Sequence, residues 1–112
     1  MIEASNGMTI ERSAISSYFS SLVNHFFKIL PLREQEEETL KTYIESLQFE
    51  LMGCKSAFPS VGDDASFITL ISILQYLSDH QDCPVKAVRR EVFRAISICN
   101  KLKNVYEECE VG

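Results

Sequence analysis

The residues in this sequence with the most reactive side chains are four cysteines and two histidines. His80 and Cys83, in the segment HQDC, have a spacing that supplies half of a zinc site, but a second pair at ligand spacing is missing. A nucleophile and its base would have to combine Cys54 or Cys99 with one of the histidines. Both cysteines fall on apolar helix faces, where thiols are normally inert. We therefore expect no catalytic residue, no metal and no cofactor.

The sequence also lacks the loops that bind phosphate or present a serine nucleophile. It contains neither a glycine-rich phosphate loop nor a GxSxG turn, and its four glycines are scattered at 7, 53, 62 and 112. We expect a protein that is not an enzyme.

The spacing of the cysteines and the first residues of the sequence indicate the cellular compartment of the protein. The cysteines are widely spaced, and the start, MIEASNGM, has no basic region followed by an apolar run, so we expect free thiols and a cytoplasmic protein. The most apolar segment, 65–77, is broken by polar residues and is shorter than the roughly 20 residues that span a bilayer. A membrane partner is therefore not expected.

The segment 84–106 is basic in an acidic chain. It carries six cations against one acid, Glu91, a local charge of +5 where the whole chain has −5. Three interpretations of this basic stripe are open. It is a solvated helix face, a surface that binds an acidic protein or another copy of the chain, or a surface that binds phosphate. The residues that we assign to the basic stripe are Lys86, Arg89, Arg90, Arg94 and Lys101.

An acidic patch precedes the second predicted helix. Its carboxylates either stabilise the positive end of that helix, which needs no partner, or form a surface that competes for a basic groove or pairs with the basic stripe of another copy. Acid–base catalysis is not expected, because nothing at an exposed helix end perturbs the pKa of these groups. The residues of the acidic patch are Glu34, Glu36, Glu37, Glu38 and Glu45.

Apolar residues recur at steps of three and four along four segments, and this period predicts helices. We predict an all-α fold, a compact bundle of four helices with the third helix at its centre. An Asp at 63 or 64 is expected to cap that third helix, and Pro84 to open the fourth. The predicted helices are 9–29, 36–56, 64–78 and 85–106.

The predicted domain covers 9–107, with flexible tails at 1–8 and 108–112. The third helix, ASFITLISILQYL, has little polar surface on any side, so we expect neighbours to enclose it. Phe49 and Met52 fall off the apolar face of the second helix and are either core or partner surface. The residues of the fourth helix predicted to face inward are Val85, Val88, Val92, Phe93, Ala95, Ile96, Cys99, Leu102 and Tyr106.

Three runs cover most of the chain: HFFKILPLRE at 25–34, YIESLQFELMGCK at 43–55 and VKAVRREVFRAISICNKLK at 85–103. Together they resemble small uncharacterised helical proteins carried by prophages of Gram-positive bacteria. The resemblance implies no catalytic residue. It implies a protein that acts by binding a host protein, since inhibitors of CRISPR nucleases and of other defence effectors are frequent among short acidic phage proteins.

Three functional hypotheses follow from these patterns. The first is a non-enzymatic binding module that inhibits or scaffolds a host protein, such as a nucleic-acid enzyme, through its charged helix faces. The second is a protein that binds nucleic acid or a nucleotide, as a regulator or as a sponge for a signal. The third is a self-assembling bundle, a homo-oligomer in which Phe26, Phe27, Phe49 or Met52 joins copies.

Overall fold

The computed structural model describes residues 2–35, 38–80 and 82–108, and in them the fold is all-α apart from one short hairpin. The predicted all-α class is confirmed, whereas the predicted bundle of four helices is not, because the described residues form six helices. Four long helices carry most of the chain, and two short helices lie between them. The helices are α1 (Arg12–Phe27), α2 (Ile29–Glu34), α3 (Leu40–Ala57), α4 (Pro59–Gly62), α5 (Ala65–Asp79) and α6 (Val85–Glu108).

The segment 2–10, expected to be a tail up to residue 8 and a helix from residue 9, contains an antiparallel hairpin of two strands, β1 (Ile2–Glu3) and β2 (Thr9–Ile10). Gly7 turns the chain with a φ of +87°, a conformation that glycine adopts without steric cost. Ile2 is buried in the core, so this segment has an apolar anchor that the expectation overlooked. The first helix accordingly begins at Arg12 rather than at residue 9.

The first predicted helix, 9–29, was expected to stop before Pro31, since proline disfavours helical geometry in the residue before it, but the structure places Pro31 inside a helix. The structure ends α1 at Phe27 and starts α2 at Ile29, which makes Pro31 the third residue of a new helix. In the first turn of a helix the backbone N–H has no intrahelical partner, so its absence in proline costs nothing. The predicted helix 9–29 is therefore a hairpin strand, α1 and the start of α2.

The second predicted helix, 36–56, corresponds to α3. Its apolar face is confirmed, but α3 begins at Leu40, later than predicted. Leu40, Ile44, Leu47 and Leu51 are buried along α3, as the spacing indicated. Residues 36 and 37, where we placed the helix start, lie outside the described part of the chain. Glu38 lies in the turn ahead of α3.

The third predicted helix, α5, is confirmed with its cap. Asp64 accepts a hydrogen bond of 2.8 Å from the Ser66 backbone N–H. Its buried face is the series Phe67, Leu70, Ile73, Leu74 and Leu77. Neighbours do not enclose it on every side, however, because Ile68 is 43% exposed.

Packing distributes the core over several helix pairs. The most extensive contact is between α1 and α6, while α5 packs on both α3 and α6. Ser16 Oγ donates to the Lys103 carbonyl and the Phe27 ring meets Phe93, so α1 and α6 run antiparallel. The prediction that the third helix alone is central is not confirmed, because α6 contacts α1, α2 and α5.

A candidate interaction surface on the last helix

Most apolar residues of α6 lie on one side of the helix, and its exposed cations lie on the other. Its buried residues recur at steps of three and four and contact α1, α2 and α5. They are Val88, Val92, Ala95, Ile96, Cys99, Leu102 and Tyr106. This burial confirms most of the predicted inward face and fixes which side of the helix turns to solvent.

Four cations of the basic stripe share that solvent side. Lys86, Arg90, Arg94 and Lys101 are spaced at four, four and seven residues, so they project from one face along about 22 Å of helix. All four are exposed, and the Arg90 and Arg94 side chains are 69% and 57% exposed. The predicted stripe is therefore a surface feature over most of its length.

Glu91 offsets only part of this charge. Its carboxylate lies 3.5 Å from Arg94 Nη1 and 3.9 Å from Arg90 Nε, at the long end of ion-pair distances. The Glu91 side chain is 12% exposed, whereas both arginine side chains remain open to solvent. One carboxylate shared between two guanidinium groups leaves the stripe with a net positive charge.

Arg89 departs from the other four cations. Its Nη2 donates to Glu34 Oε1 across 3.1 Å, so it connects α6 to the end of α2. Both side chains are about half exposed, at 56% and 49%. One residue of the predicted basic stripe and one of the acidic patch are thus bonded to each other within the chain.

The rest of the acidic patch is spread over two elements. Glu38 is exposed in the turn before α3, and Glu45 is exposed within α3. Glu36 and Glu37 lie outside the described residues. Because Glu38 precedes α3 and Glu45 follows its first turn, the first turn of α3 contains no acidic residue.

Phe93 was predicted to face inward, and this was wrong. It is 47% exposed and meets Phe27 of α1, which is 42% exposed, with ring centroids 5.9 Å apart and planes at 81°. Such edge-to-face pairs are favourable, and aromatic side chains open to solvent are common at binding surfaces. The pair borders the basic stripe, since Phe93 lies between Val92 and Arg94. The sequence did contain a signal for this exposure: Phe93 directly follows the buried Val92, and adjacent residues of a helix point in directions about 100° apart.

Phe49 and Met52, for which the sequence did not decide between core and partner surface, are also exposed. Phe49 is 83% exposed and Met52 is 48% exposed, both on the side of α3 opposite its buried leucines. They lie outside the core of this chain, whereas Phe26 is fully buried and is therefore not available to join copies.

The thiols that sequence reasoning considered as nucleophiles are poorly suited to that role. Burial raises the pKa of the Cys99 thiol to about 12. Burial, and secondarily the Glu50 carboxylate, raises the pKa of Cys54 to about 11. Since the thiolate is the reactive form, these groups are unreactive near neutral pH.

The two histidines have tyrosine neighbours. Tyr43 Oη donates to the His25 carbonyl oxygen at 2.9 Å and lies 3.3 Å from His25 Nδ1. The His80 ring stacks on Tyr76 at 4.5 Å between centroids, and its Nδ1 lies 3.0 Å from the Tyr76 carbonyl oxygen. Within residues 2–35, 38–80 and 82–108 there is no cluster of three potential metal ligands.

No protein-family model, no curated protein and no solved structure matches this chain. The prophage resemblance therefore stays a prediction. In the described part of the chain, no helix combines the length and the apolar character needed to cross a membrane.

Proposed function

We propose that this chain is a non-enzymatic binding module that attaches to an acidic surface of a partner protein through the outer face of α6. One observation carries the proposal: four exposed cations lie on one face of a long helix, directly beside an exposed aromatic pair. The raised pKa values of Cys54 and Cys99 support a role without catalysis.

The composition of this face is the kind that dominates binding energy in protein interfaces. Arginine and aromatic residues are enriched among the few residues that contribute most of the affinity. Here Arg90 and Arg94 supply guanidinium groups for carboxylates, and Phe27 and Phe93 supply apolar area next to them. A positive face also accelerates the encounter with an acidic partner.

The resemblance to prophage proteins directs the choice of partner. We propose a host protein as the target, with a CRISPR nuclease or another defence effector as the first to test. The exposed Glu38 and Glu45 are a second charged surface for such a partner. Because Arg89 is bonded to Glu34, it contributes less to binding than Arg90 and Arg94.

A charge-reversal experiment tests the proposal. The tagged chain is used to capture partners from a host lysate, and the affinity of the partner identified by mass spectrometry is then measured. We expect Arg90→Glu with Arg94→Glu to abolish capture. The matched control is Lys28→Glu with Lys41→Glu, which changes the net charge equally at exposed positions off α6.

Circular dichroism of each double variant checks that the helices are retained. Equal capture by the wild-type chain and by the Arg90/Arg94 variant would show that the basic stripe does not bind the partner. Equal loss in both variants would assign the effect to net charge alone.

A second candidate function is nucleic-acid binding, which the position of the Phe27–Phe93 pair favours. Aromatic rings beside cations stack on bases while the cations contact phosphates. The logarithm of DNA affinity should then fall with the logarithm of salt concentration, with a slope of about −0.7 to −0.9 per phosphate contact. Phe93→Ala should weaken binding to single strands. Absence of DNA binding at low salt would eliminate this candidate.

We also propose that α5 is the energetic centre of the bundle that presents this surface. Its Leu70 and Leu74 side chains are fully buried, and it contacts both α3 and α6.

A further inference from the structure

A groove of about 340 Å³ lies between α1 and α3, on a part of the molecule that the proposed partner surface does not use. Its wall on the α1 side consists of Ala14, Ile15 and Tyr18, with Ile10 of β2 beside them. On the α3 side it is lined by Cys54 and Glu50, with Phe58 at the end of that helix.

The groove exists because the two helices pack on different neighbours. The principal partner of α1 is α6, and that of α3 is α5, so the facing sides of α1 and α3 do not close on each other. The hairpin is attached at one end of this space: the Ser5 backbone N–H donates to the Ala57 carbonyl at the C-terminal end of α3, at 2.7 Å. Ligand sites commonly lie between the helices of a bundle.

The lining combines apolar walls with one formal charge. Ile10, Ile15 and Phe58 offer aliphatic and aromatic surface. Glu50 is exposed. Burial raises the pKa of Tyr18, on the α1 side of the groove, and the negative charge of the Glu50 carboxylate is the second largest cause of that rise. At neutral pH the phenol and the Cys54 thiol remain protonated, so Glu50 is the charged residue among those lining the groove.

Tyr18 adds a second and independent feature. Its hydroxyl is shielded from solvent and has no hydrogen-bond partner among the described residues. Buried hydroxyl groups in folded proteins nearly always have a partner, so an orphan of this kind needs an explanation. A bound ammonium group beside Tyr18 would supply one, because its N–H can donate to the phenol oxygen.

We infer that this groove is a binding site for a small organic amine, with an aromatic or branched aliphatic body against the apolar walls and a protonated nitrogen at the Glu50 carboxylate. Charge complementarity selects a cation, since Glu50 lines the groove and no cationic side chain does so among the described residues. A volume of about 340 Å³ is near the lower end of the range for small-molecule sites, roughly 300–1,000 Å³, which selects a small body.

Three matched probes test the inference on the full chain: 3-phenylpropylamine, the corresponding alcohol and the corresponding carboxylate. Each is titrated into the protein while backbone amide signals are followed by NMR. The amine should produce saturable shifts at Ile10, Tyr18 and Cys54. The alcohol should bind roughly two- to fivefold more weakly, the factor expected for one exposed ion pair, and the carboxylate most weakly.

Two variants separate the charge from the shape. Glu50→Gln preserves the shape of the side chain and should reduce the affinity of the amine to that of the alcohol. Glu45→Gln is the matched control, because Glu45 is an exposed glutamate of the same helix that does not line the groove. Ala14→Trp places an indole in the groove from an exposed position and should abolish binding of all three probes.

The amide spectrum and melting temperature of each variant show whether it is folded. If Ala14→Trp does not fold, the comparison of Glu50→Gln with Glu45→Gln still decides the test. The inference is overturned by the absence of saturable shifts, by shifts that map to α6, or by equal affinity for amine and carboxylate. Amine binding that Glu50→Gln leaves unchanged overturns it as well.

Discussion

The guanidinium group of Arg89 donates to the carboxylate of Glu34 across 3.1 Å, although the two residues are 55 positions apart in the chain. This bond connects the predicted basic stripe to the predicted acidic patch, through α6 and α2. The two charged surfaces are therefore not wholly available to partners. The cations of the basic stripe with no ion pair to another helix among the described residues are Lys86, Arg90, Arg94 and Lys101.

The Arg89–Glu34 bond should contribute little to stability, because both side chains are about half exposed to water. A double-mutant cycle of Arg89→Ala and Glu34→Ala, measured by urea unfolding, should give a coupling energy of about 0.2–1 kcal/mol. The cycle of Arg94→Ala with Glu34→Ala serves as the uncoupled control. A coupling energy above about 2 kcal/mol would mean that this pair is a structural element and not a surface bond.

The core position Leu74 should be far more sensitive than its exposed neighbour on α5. Leu74 is fully buried, so Leu74→Ala removes apolar contacts and leaves a cavity, at an expected cost of about 2–5 kcal/mol. Ile68, on the same helix, is 43% exposed, and Ile68→Ala should cost less than about 1 kcal/mol. Denaturant unfolding of both variants measures the difference. A loss below about 1 kcal/mol for Leu74→Ala would show that the energetic centre lies in another helix.

Two helical glycines should respond to alanine in opposite directions. A Cβ at Gly62 would lie 2.5 Å from the Lys55 Cα, so Gly62→Ala forces α3 and α4 apart and should cost about 1–3 kcal/mol. A Cβ at Gly53 meets nothing within 4 Å, and Gly53→Ala should stabilise α3 by about 0.5–1 kcal/mol. Thermal unfolding followed by circular dichroism measures both effects. Destabilisation by Gly53→Ala would contradict the open space around it.

Stability should fall in alkaline solution because two thiols have a raised pKa in the folded chain. Their ordinary pKa is 9.0, and burial raises that of Cys54 to about 11 and that of Cys99 to about 12. The folded state holds these protons more tightly than the unfolded chain, so this contribution is fully present below pH 9.0 and is lost as the pH rises through 11 to 12.

The free energy of unfolding in urea, measured from pH 8 upward, should therefore decrease above pH 9.0. The Cys54→Ala variant should lose part of this decrease, because one of the two titrating thiols is gone. A flat profile up to pH 11 in the wild-type chain would contradict the burial of these groups.

The secondary structure was largely predictable, because a helix is a local structure whose period of 3.6 residues is written in the order of apolar residues. The buried face of α3 and most of the inward face of α6 followed from that order, and the cap at Asp64 followed from the preference for aspartate at the start of a helix. The hairpin over 2–10 did not. Its pairing is stabilised by burial of Ile2 and by contact with the end of α3, which the sequence near it does not reveal.

The sequence by itself determined the charge distribution along α6 and the all-α class of the fold. Only the tertiary structure decided which charges remain open: it bonded Arg89 to Glu34 and aligned the other four cations with the Phe27–Phe93 pair. It also separated α1 from α3 and so formed the groove at Tyr18 and Glu50. The physical reason is that periodicity fixes the direction of a side chain from its own helix, whereas its partner depends on how distant helices pack.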